Sequence, residues 1–361
     1  MNDLAPTWPG LTARLIRGED LTASDAAWAM NEVMEGAASP VQLAGFLVAL
    51  QSKGFTVAEL GALADAMTAH AREVDVTREA VDIVGTGGDL AQTVNISTTA
   101  SMIIASTGRT VVKHGNRAST SKSGSADVLE ALGVRLNLPV PQVQDLVAEI
   151  GMTFLFAQVF HPSMRFAAEA RKGLGVPTVM NVLGPITNPA RPRASAVGVA
   201  DPVVAPKVAG VFADRGTSAL VFRGHDGLDE LTITDCSDVW EVRGGQVREH
   251  VLDPFALLGL ERAEHDALRG GTAEENAQVV RDLFAGRREG RLGPVRNAVL
   301  LNAAAGIVAY DGIGCEAEDG FTERFASAFA EAEQALDSGR PADLVERWAA
   351  ASARAAEGGA A

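Results

Sequence analysis

The sequence predicts an α/β protein in two parts: a small all-helical N-terminal domain, then a large domain whose helices cover a mostly parallel central sheet. Three observations carry this. Up to about Val74 the apolar residues recur at helical spacing and the boundaries carry helix caps. From Val81 onward short apolar runs alternate with helical segments, the pattern of parallel strands joined by crossover helices. Farther along, Gly244-Gly245 separates two strand-like runs and marks a hairpin, an antiparallel addition at the sheet margin.

The helical domain takes residues 1–76. Thr22 and Ser24 cap a helix carrying Trp28 and Val33, Pro40 takes the first turn after Ser39, and Gly54 closes that helix. Thr56 and Glu59 form a capping box before Leu60, Leu63 and Met67. These stripes hold more apolar surface than a few short helices need among themselves, so part of it is expected to face another subunit.

The large domain takes residues 77–361. Val81 to Val84 and Thr110 to Val112 read as strands, and Asp127 to Leu132 as a helix ended by Gly133. A helix from Pro141 to Ile150 closes at Gly151, Met152 to Ala157 is a strand, and a helix opens at Pro162. Arg165 and Arg171, six apart on that helix, point to different faces. Asn181 to Pro189 reads as a loop stiffened by two prolines, a wall or hinge. Next come the strand of Ala194 to Ala200, the helix of Pro202 to Arg215, and the strand of Ser218 to Phe222. Asp238 to Arg243 and Gln246 to Val251 form the hairpin, Thr272 to Glu275 caps a helix, and Pro294 to Tyr310 is helical. The tail from Glu318 is polar and helical, and its alanine-rich end reads as solvent-facing helix and disorder.

With 361 residues, 47% hydrophobic and 21% charged, the chain can bury a large core. No apolar run approaches the roughly eighteen residues of a membrane span, and MNDLAPTWPG lacks the basic start and apolar core of a secretory signal, so a cytoplasmic protein with no membrane partner is expected. Cys236 and Cys315 show neither metal-ligand nor redox spacing and suit a reducing compartment. A net charge of −15 argues against a nucleic-acid partner, which is held by neutralising phosphates with a basic face.

The chemistry concentrates between Val81 and Gly133. Gly85-Thr86-Gly87-Gly88-Asp89 is a loop in which backbone N–H groups approach an anion without a Cβ in the way. Asn95-Ile96-Ser97-Thr98 opens a helix, whose free N–H groups and partial positive charge point back toward that loop. Lys113-His114-Gly115-Asn116-Arg117 brings fixed charge to the carboxyl edge of the sheet, where ligands of open α/β sheets sit. Ser119, Ser121, Ser123 and Ser125 gather hydroxyls at a further helix start. The nucleotide patterns GxxxxGK[ST] and GxGxxG are absent, and Asp89 repels a phosphate unless a cation or sugar hydroxyl lies between. That combination points to a sugar phosphate with magnesium. Lys122, Arg165, Arg171 and Lys172 add the local positive charge an anionic substrate needs against an acidic chain. Asp229 and Glu230, adjacent after a strand and turn, are hard oxygen ligands of the kind Mg²⁺ takes.

In this order and spacing GTGGD, NIST, KHGNRA and SGSADVLE resemble the anthranilate phosphoribosyltransferase family of tryptophan biosynthesis. The resemblance continues through FHPSMRFAAEAR, NVLGPITNPA, GLDELT and RNAVLLNAAA, and so covers most of the chain. It implies a fold of nucleoside phosphorylase and phosphoribosyltransferase type, with part of the 165–190 region joining the helical domain, and a homodimer formed through that domain. The implied reaction moves phosphoribose from phosphoribosyl pyrophosphate to the amine of anthranilate, releasing pyrophosphate. The implied Mg²⁺ ligands are Ser97, Asp229 and Glu230. Phosphoribosyl pyrophosphate is expected on Gly85, Gly88, Asp89, Thr93, Asn95, Ile96, Ser97, Thr98, Lys113, His114, Gly115, Asn116, Arg117, Ala118, Ser119, Thr120, Ser121 and Ser125. Anthranilate is expected on Gly85, Asn116, Arg171 and His161, with Arg171 on its carboxylate. His161 either lines the channel for the aromatic acid or caps the helix. No catalytic base is implied, and His114 is a candidate by position alone. Pyrimidine nucleoside phosphorylases share the fold, but GTGGD with NIST is not their glycine pattern and the DELT pair has no use there.

Overall fold

The structure is a computed structural model that describes residues 5–117 and 122–358. The chain forms two compact units, one of Met1–Glu73 with Ala157–Pro189 and the other of Val74–Phe156 with Ala190–Ala361.

The first unit is helical throughout. Its first four helices are Trp8–Ile16, Ala23–Met34, Pro40–Lys53 and Val57–Ala69. Each starts where a hydroxyl at the N-cap (Thr7, Thr22, Ser39 or Thr56) accepts a backbone N–H that the helix cannot satisfy itself. Thr22 with Asp25, Ser39 with Gln42 and Thr56 with Glu59 complete capping boxes. Glu59 does more than cap. Fully buried, it accepts from the N–H groups of Leu21 and Thr56 and from Lys53 Nζ, so one carboxylate joins three segments. Trp8 packs on Trp28 and Phe46 at ring-centroid distances of 5.4 and 5.5 Å, which anchors the first helix on the next two.

The second unit is built on one seven-stranded sheet: β1 (Ala80–Gly85), β2 (Thr110–Gly115), β3 (Met152–Phe156), β4 (Ala194–Gly198), β5 (Ser218–Gly224), β6 (Ser237–Arg243) and β7 (Gln246–Leu252). Their order is β3-β2-β1-β4-β5-β6-β7. The first five strands are parallel, and β6 and β7 run antiparallel at the edge. Gly244 and Gly245, both at positive φ, make the hairpin turn between them. Chain order reverses between β1 and β4, so a crevice opens beyond their carboxyl ends. There Gly85 of β1 and Gly198 of β4 are register partners.

The helix Ile96–Ser106 packs on β1 and β2, and Leu292–Asp311 packs on it and on β1, β4 and β5. The two helices approach closely because Gly306 faces Ile104; a Cβ there would lie 2.3 Å from Ile104 Cδ1. By length and apolar composition Leu292–Asp311 matches a membrane span, contrary to the expectation from composition, but most of it is buried inside the protein. Its apolarity is that of a central core helix. The tail also departs from expectation. Arg340–Gly358 is one helix that packs on Ile96–Ser106 and Val140–Ile150, with Leu344, Val345, Trp348, Ala351 and Ser352 buried. Those positions form a stripe of helical period within an alanine-rich, outwardly polar sequence. Ser352 Oγ accepts from Arg135 N–H at 2.9 Å.

Candidate active site

The Asp229–Glu230 turn follows β5 and lies on the crevice between β1 and β4. Both acids are buried. Asp229 Oδ2 accepts from Gly87 N–H at 2.6 Å, and Glu230 Oε1 accepts from Ser97 N–H at 3.2 Å in the first turn of Ile96–Ser106. One acid therefore meets the glycine loop and its neighbour meets the helix start. The glycines bounding the crevice are required by this turn. A Cβ on Gly85 would lie 2.1 Å from Asp229 Oδ2, and one on Gly198 would lie 1.7 Å from the Asp229 carbonyl oxygen. At Gly85 the anion that comes close is thus the protein's own carboxylate. Gly87 and Gly88 serve differently: both have positive φ and open space around the missing Cβ.

Burial and the nearby Asp89 push the Asp229 carboxyl up to about 7, and burial with Asp229 alongside lifts Glu230 well above the usual range, against the pull of Lys113. Burial draws Lys113 downward, opposed by Asp82, Glu230 and Asp229. Acids crowded in a low-dielectric site store unfavourable energy that a cation relieves. The donors are all oxygens: two carboxylates, the Asp89 carboxylate beside them, and the hydroxyl of Ser97. This set fits a hard divalent ion. Among the described residues no three His, Cys, Asp or Glu side chains are grouped so as to hold a metal ion on their own.

Several residues expected to bind phosphoribosyl pyrophosphate have side chains that are buried or held by other residues. Lys113 is 1% exposed; its ammonium donates to the Ile83 carbonyl and lies 3.4 Å from Ser97 Oγ, so it acts from beneath the crevice. Ile96, Thr98 and His114 are buried as well, and His114 N–H donates to the buried Asp82. Arg117 is exposed, but its guanidinium is held by Asp127 and Glu130 and lies over the Phe156 ring. Asn95 precedes the helix without capping it, because its Nδ2 donates to the Ser123 carbonyl and its Oδ1 accepts from Asn276. Thr93 bridges to Arg269, and Gly270 N–H donates to the Gln92 carbonyl. The segment from Leu90 to Asn95, with Leu90 and Gln92 at positive φ, is therefore held by residues 269–276. Asn116 is exposed at the end of β2, next to Gly115, where a Cβ would lie 2.9 Å from the Phe154 ring. Ser125 begins the helix Ser125–Ala131, which is tied to this edge by Ala126 N–H donating to the Asn116 carbonyl at 3.3 Å. Ala118, Ser119, Thr120 and Ser121 lie outside the described residues.

Arg171 and His161 belong to the helical unit. The segment from Pro162 is not one helix: Pro162–Ala167 is a 3₁₀ turn and Ala168–Leu174 an α-helix, so the six-residue spacing of Arg165 and Arg171 does not set their faces. Arg165 is exposed and lies over the Phe166 ring. Arg171 is half-buried, its side chain makes no hydrogen bond or ion pair with the described residues, and burial alone draws its guanidinium below the usual value. A desolvated, unpaired cation of this kind calls for an anion. His161 does not cap with its side chain; it is buried, with Nε2 2.9 Å from the Thr187 carbonyl. The stretch expected as a loop is instead two helical turns, Met180–Leu183 and Gly184–Ile186, tightened by Thr187 Oγ1 donating to the Leu183 carbonyl.

Sequence reasoning missed Gly198, Asn276 and Asn302. Asn302 falls inside the RNAVLLNAAA stretch, but nothing local gives it or the other two a role, since each acts on a segment distant in the chain. The Gly270-Gly271 pair before the Thr272 cap was the one available sign that this segment makes a close approach.

Two family descriptions match the chain: "Glycosyl transferase family, helical bundle domain" over residues 9–71 and "Glycosyl transferase family, a/b domain" over residues 77–342. An anthranilate phosphoribosyltransferase from Arthrobacter sp. (strain FB24) is 57% identical over 344 residues, 95% of this chain and 96% of the relative. The crystal structure of anthranilate phosphoribosyltransferase from Thermus thermophilus superposes with a TM-score of 0.86 at 41% identity, covering 95% of this chain and 99% of that one. The Saccharomyces cerevisiae enzyme in complex with PRPP and Mg gives a TM-score of 0.84 at 27% identity, covering 96% and 98%. With both domains matched and more than half of the residues shared with a full-length relative, the chain belongs to the anthranilate phosphoribosyltransferase family.

Proposed function

We propose that the chain transfers phosphoribose from 5-phosphoribosyl 1-pyrophosphate to the amine of anthranilate, giving N-(5-phosphoribosyl)anthranilate and pyrophosphate. The observation that carries this reading is the buried Asp229–Glu230 turn, held between the glycine loop and a helix start at the point where strand order reverses. Asp229, Glu230 and Ser97 are assigned to Mg²⁺, which leaves the remaining positions of its shell to substrate oxygens and water. When bound, the ion supplies charge neutralisation for the departing pyrophosphate. With Gly87 N–H given to Asp229 and Ser97 N–H to Glu230, the N–H groups of Gly88 and Asp89 in the loop and of Thr98 in the first turn of Ile96–Ser106 serve the phosphates, and the segments of Thr93–Asn95, Asn116 and Ser125 frame the ribose and its phosphate. Lys113 and His114 act through the strand beneath, by charge and by position.

The bond that forms joins the amine nitrogen to the ribose C1, and the bond that breaks joins C1 to pyrophosphate. The amine then loses a proton to water. Anthranilate's amine is uncharged at neutral pH, so the work of the site is to hold the two reactants in line, and no side chain is assigned as a base. Arg171 grips the anthranilate carboxylate through paired hydrogen bonds; its unpaired, half-buried guanidinium supports that role.

Val41 and Val48, seven apart on Pro40–Lys53 and so on one face of it, are exposed, as is Ile16 on the first helix, and this uncovered apolar surface supports a homodimer through the helical unit. Two free cysteines suit the reducing cytoplasm. Measuring pyrophosphate release from phosphoribosyl pyrophosphate with and without anthranilate tests the reaction. Release that depends on anthranilate supports it, and release indifferent to anthranilate overturns it.

A further inference from the structure

Asn302 sits in the middle of Leu292–Asp311, is fully buried, and spends its amide on backbone. Its Oδ1 accepts from Leu231 N–H at 3.0 Å, and its Nδ2 donates to the Leu231 carbonyl at 2.9 Å and to the Ala298 carbonyl at 2.9 Å. One side chain therefore satisfies both backbone groups of Leu231, as a neighbouring strand would. Leu231 directly follows Glu230 and lies outside any strand. The neighbours of Asn302 along the helix include Leu300, Leu301, Ala303 and Ala304, all buried. Packing alone favours an apolar residue at such a position, because a buried amide costs free energy unless its bonds are complete.

We propose that Asn302 is the positioning residue of the Asp229–Glu230 pair. It ties the turn to the central core helix, so that the two carboxylates stay aimed at Gly87 and Ser97 although burial and mutual repulsion favour their separation. The proposal rests on the reading of this pair as magnesium ligands and names what holds them. Outer partners of metal ligands act by fixing ligand orientation, and losing one costs about ten- to a hundredfold in metal affinity or activity.

Asn302→Ala removes the clamp, and Asn302→Ser, whose hydroxyl is one bond too short to reach Leu231, also removes it but keeps a polar group that the Ala298 carbonyl can accept from; the serine variant carries the test if the alanine variant does not fold. In metal-free protein, amide hydrogen exchange should accelerate across residues 226–234 while strands β1 to β3 keep their protection. In steady-state assays the magnesium needed for half-maximal activity should rise about tenfold or more, with the KM for anthranilate unchanged. Both shifts are required. Wild-type exchange in that segment, an unmoved magnesium curve, or exchange that rises throughout the unit each overturns the proposal. Activity of the wild-type enzyme that is independent of magnesium overturns the metal assignment instead, and the exchange result still decides whether Asn302 holds the turn.

Discussion

Gly198→Ala is the smallest change that should disable the site. The new methyl would lie 1.7 Å from the Asp229 carbonyl oxygen and 2.4 Å from its carbonyl carbon. Non-bonded carbon contacts settle near roughly 3.5 to 4.0 Å, so the Asp229 carbonyl carbon, 2.4 Å away, must retreat by about 1.1 to 1.6 Å. No rotamer relieves the clash, because the obstacle is main chain. The retreat pulls Asp229 Oδ2 from Gly87 N–H, now at 2.6 Å, and carries Glu230 with it. Overpacking of this kind costs about 1 to 3 kcal/mol of stability. The larger effect falls on function: misplacing a reacting constellation by roughly 1 Å costs about a hundredfold, or about 2.7 kcal/mol. Gly151→Ala provides the control. That glycine has positive φ, with nothing within 4 Å of the missing Cβ, at a helix end remote in topology from the crevice. It should lose about 1 to 2 kcal/mol of stability and leave kinetics alone. The assay is kcat/KM for phosphoribosyl pyrophosphate at limiting Mg²⁺, with thermal melts of each variant. A Gly198→Ala enzyme with near-normal use of this substrate would refute the reasoning, as would a loss matched by the control at equal stability.

Arg171→Ala should raise the KM for anthranilate about ten- to a hundredfold, the worth of a charge-assisted bidentate pair, with little change for phosphoribosyl pyrophosphate, and Arg171→Lys should recover only part; steady-state kinetics with each substrate varied checks this. Burial lowers the His161 pKa in the folded protein, so folding favours neutral imidazole. The unfolded chain then takes up the proton first as pH falls: this stability is complete above about pH 6.5 and is lost as pH drops toward the folded pKa. Melts between about pH 8 and pH 5 should show a flatter acid limb in His161→Gln than in the wild type. Trp348→Ala should destabilise by about 3 to 5 kcal/mol, because the indole is 1% exposed in the core stripe of the last long helix. Denaturant unfolding measures that loss, and a cost below about 1 kcal/mol would return the tail to the surface.

Local chemistry was legible in the sequence. The Thr22, Ser39 and Thr56 caps, the glycine pair of the hairpin and the alternation of strands and helices each follow from a few adjacent residues. Asp89 and the Asp229–Glu230 pair were legible as acids, and the fold brings them close to one another. What stayed hidden was partnership across the chain. Gly87 and Asp229 are 142 residues apart, so nothing near Gly85 says that its missing side chain makes room for a carboxylate. Nor does the sequence say that Asp127 and Glu130 hold the Arg117 guanidinium. The last helix misled because small alanines conceal a stripe made by Leu344, Val345 and Trp348. Asn181 to Pro189 misled because two prolines suggest a loop, yet proline also suits the first turn of a short helix such as Gly184–Ile186.

The most direct test of the account is the magnesium dependence of pyrophosphate release with saturating anthranilate, measured for the wild type and for the double variant Asp229→Asn, Glu230→Gln. The account predicts a wild-type rate that requires Mg²⁺ and a variant that folds normally but needs far more metal and substrate to turn over. A variant with the wild-type rate at limiting magnesium would contradict it.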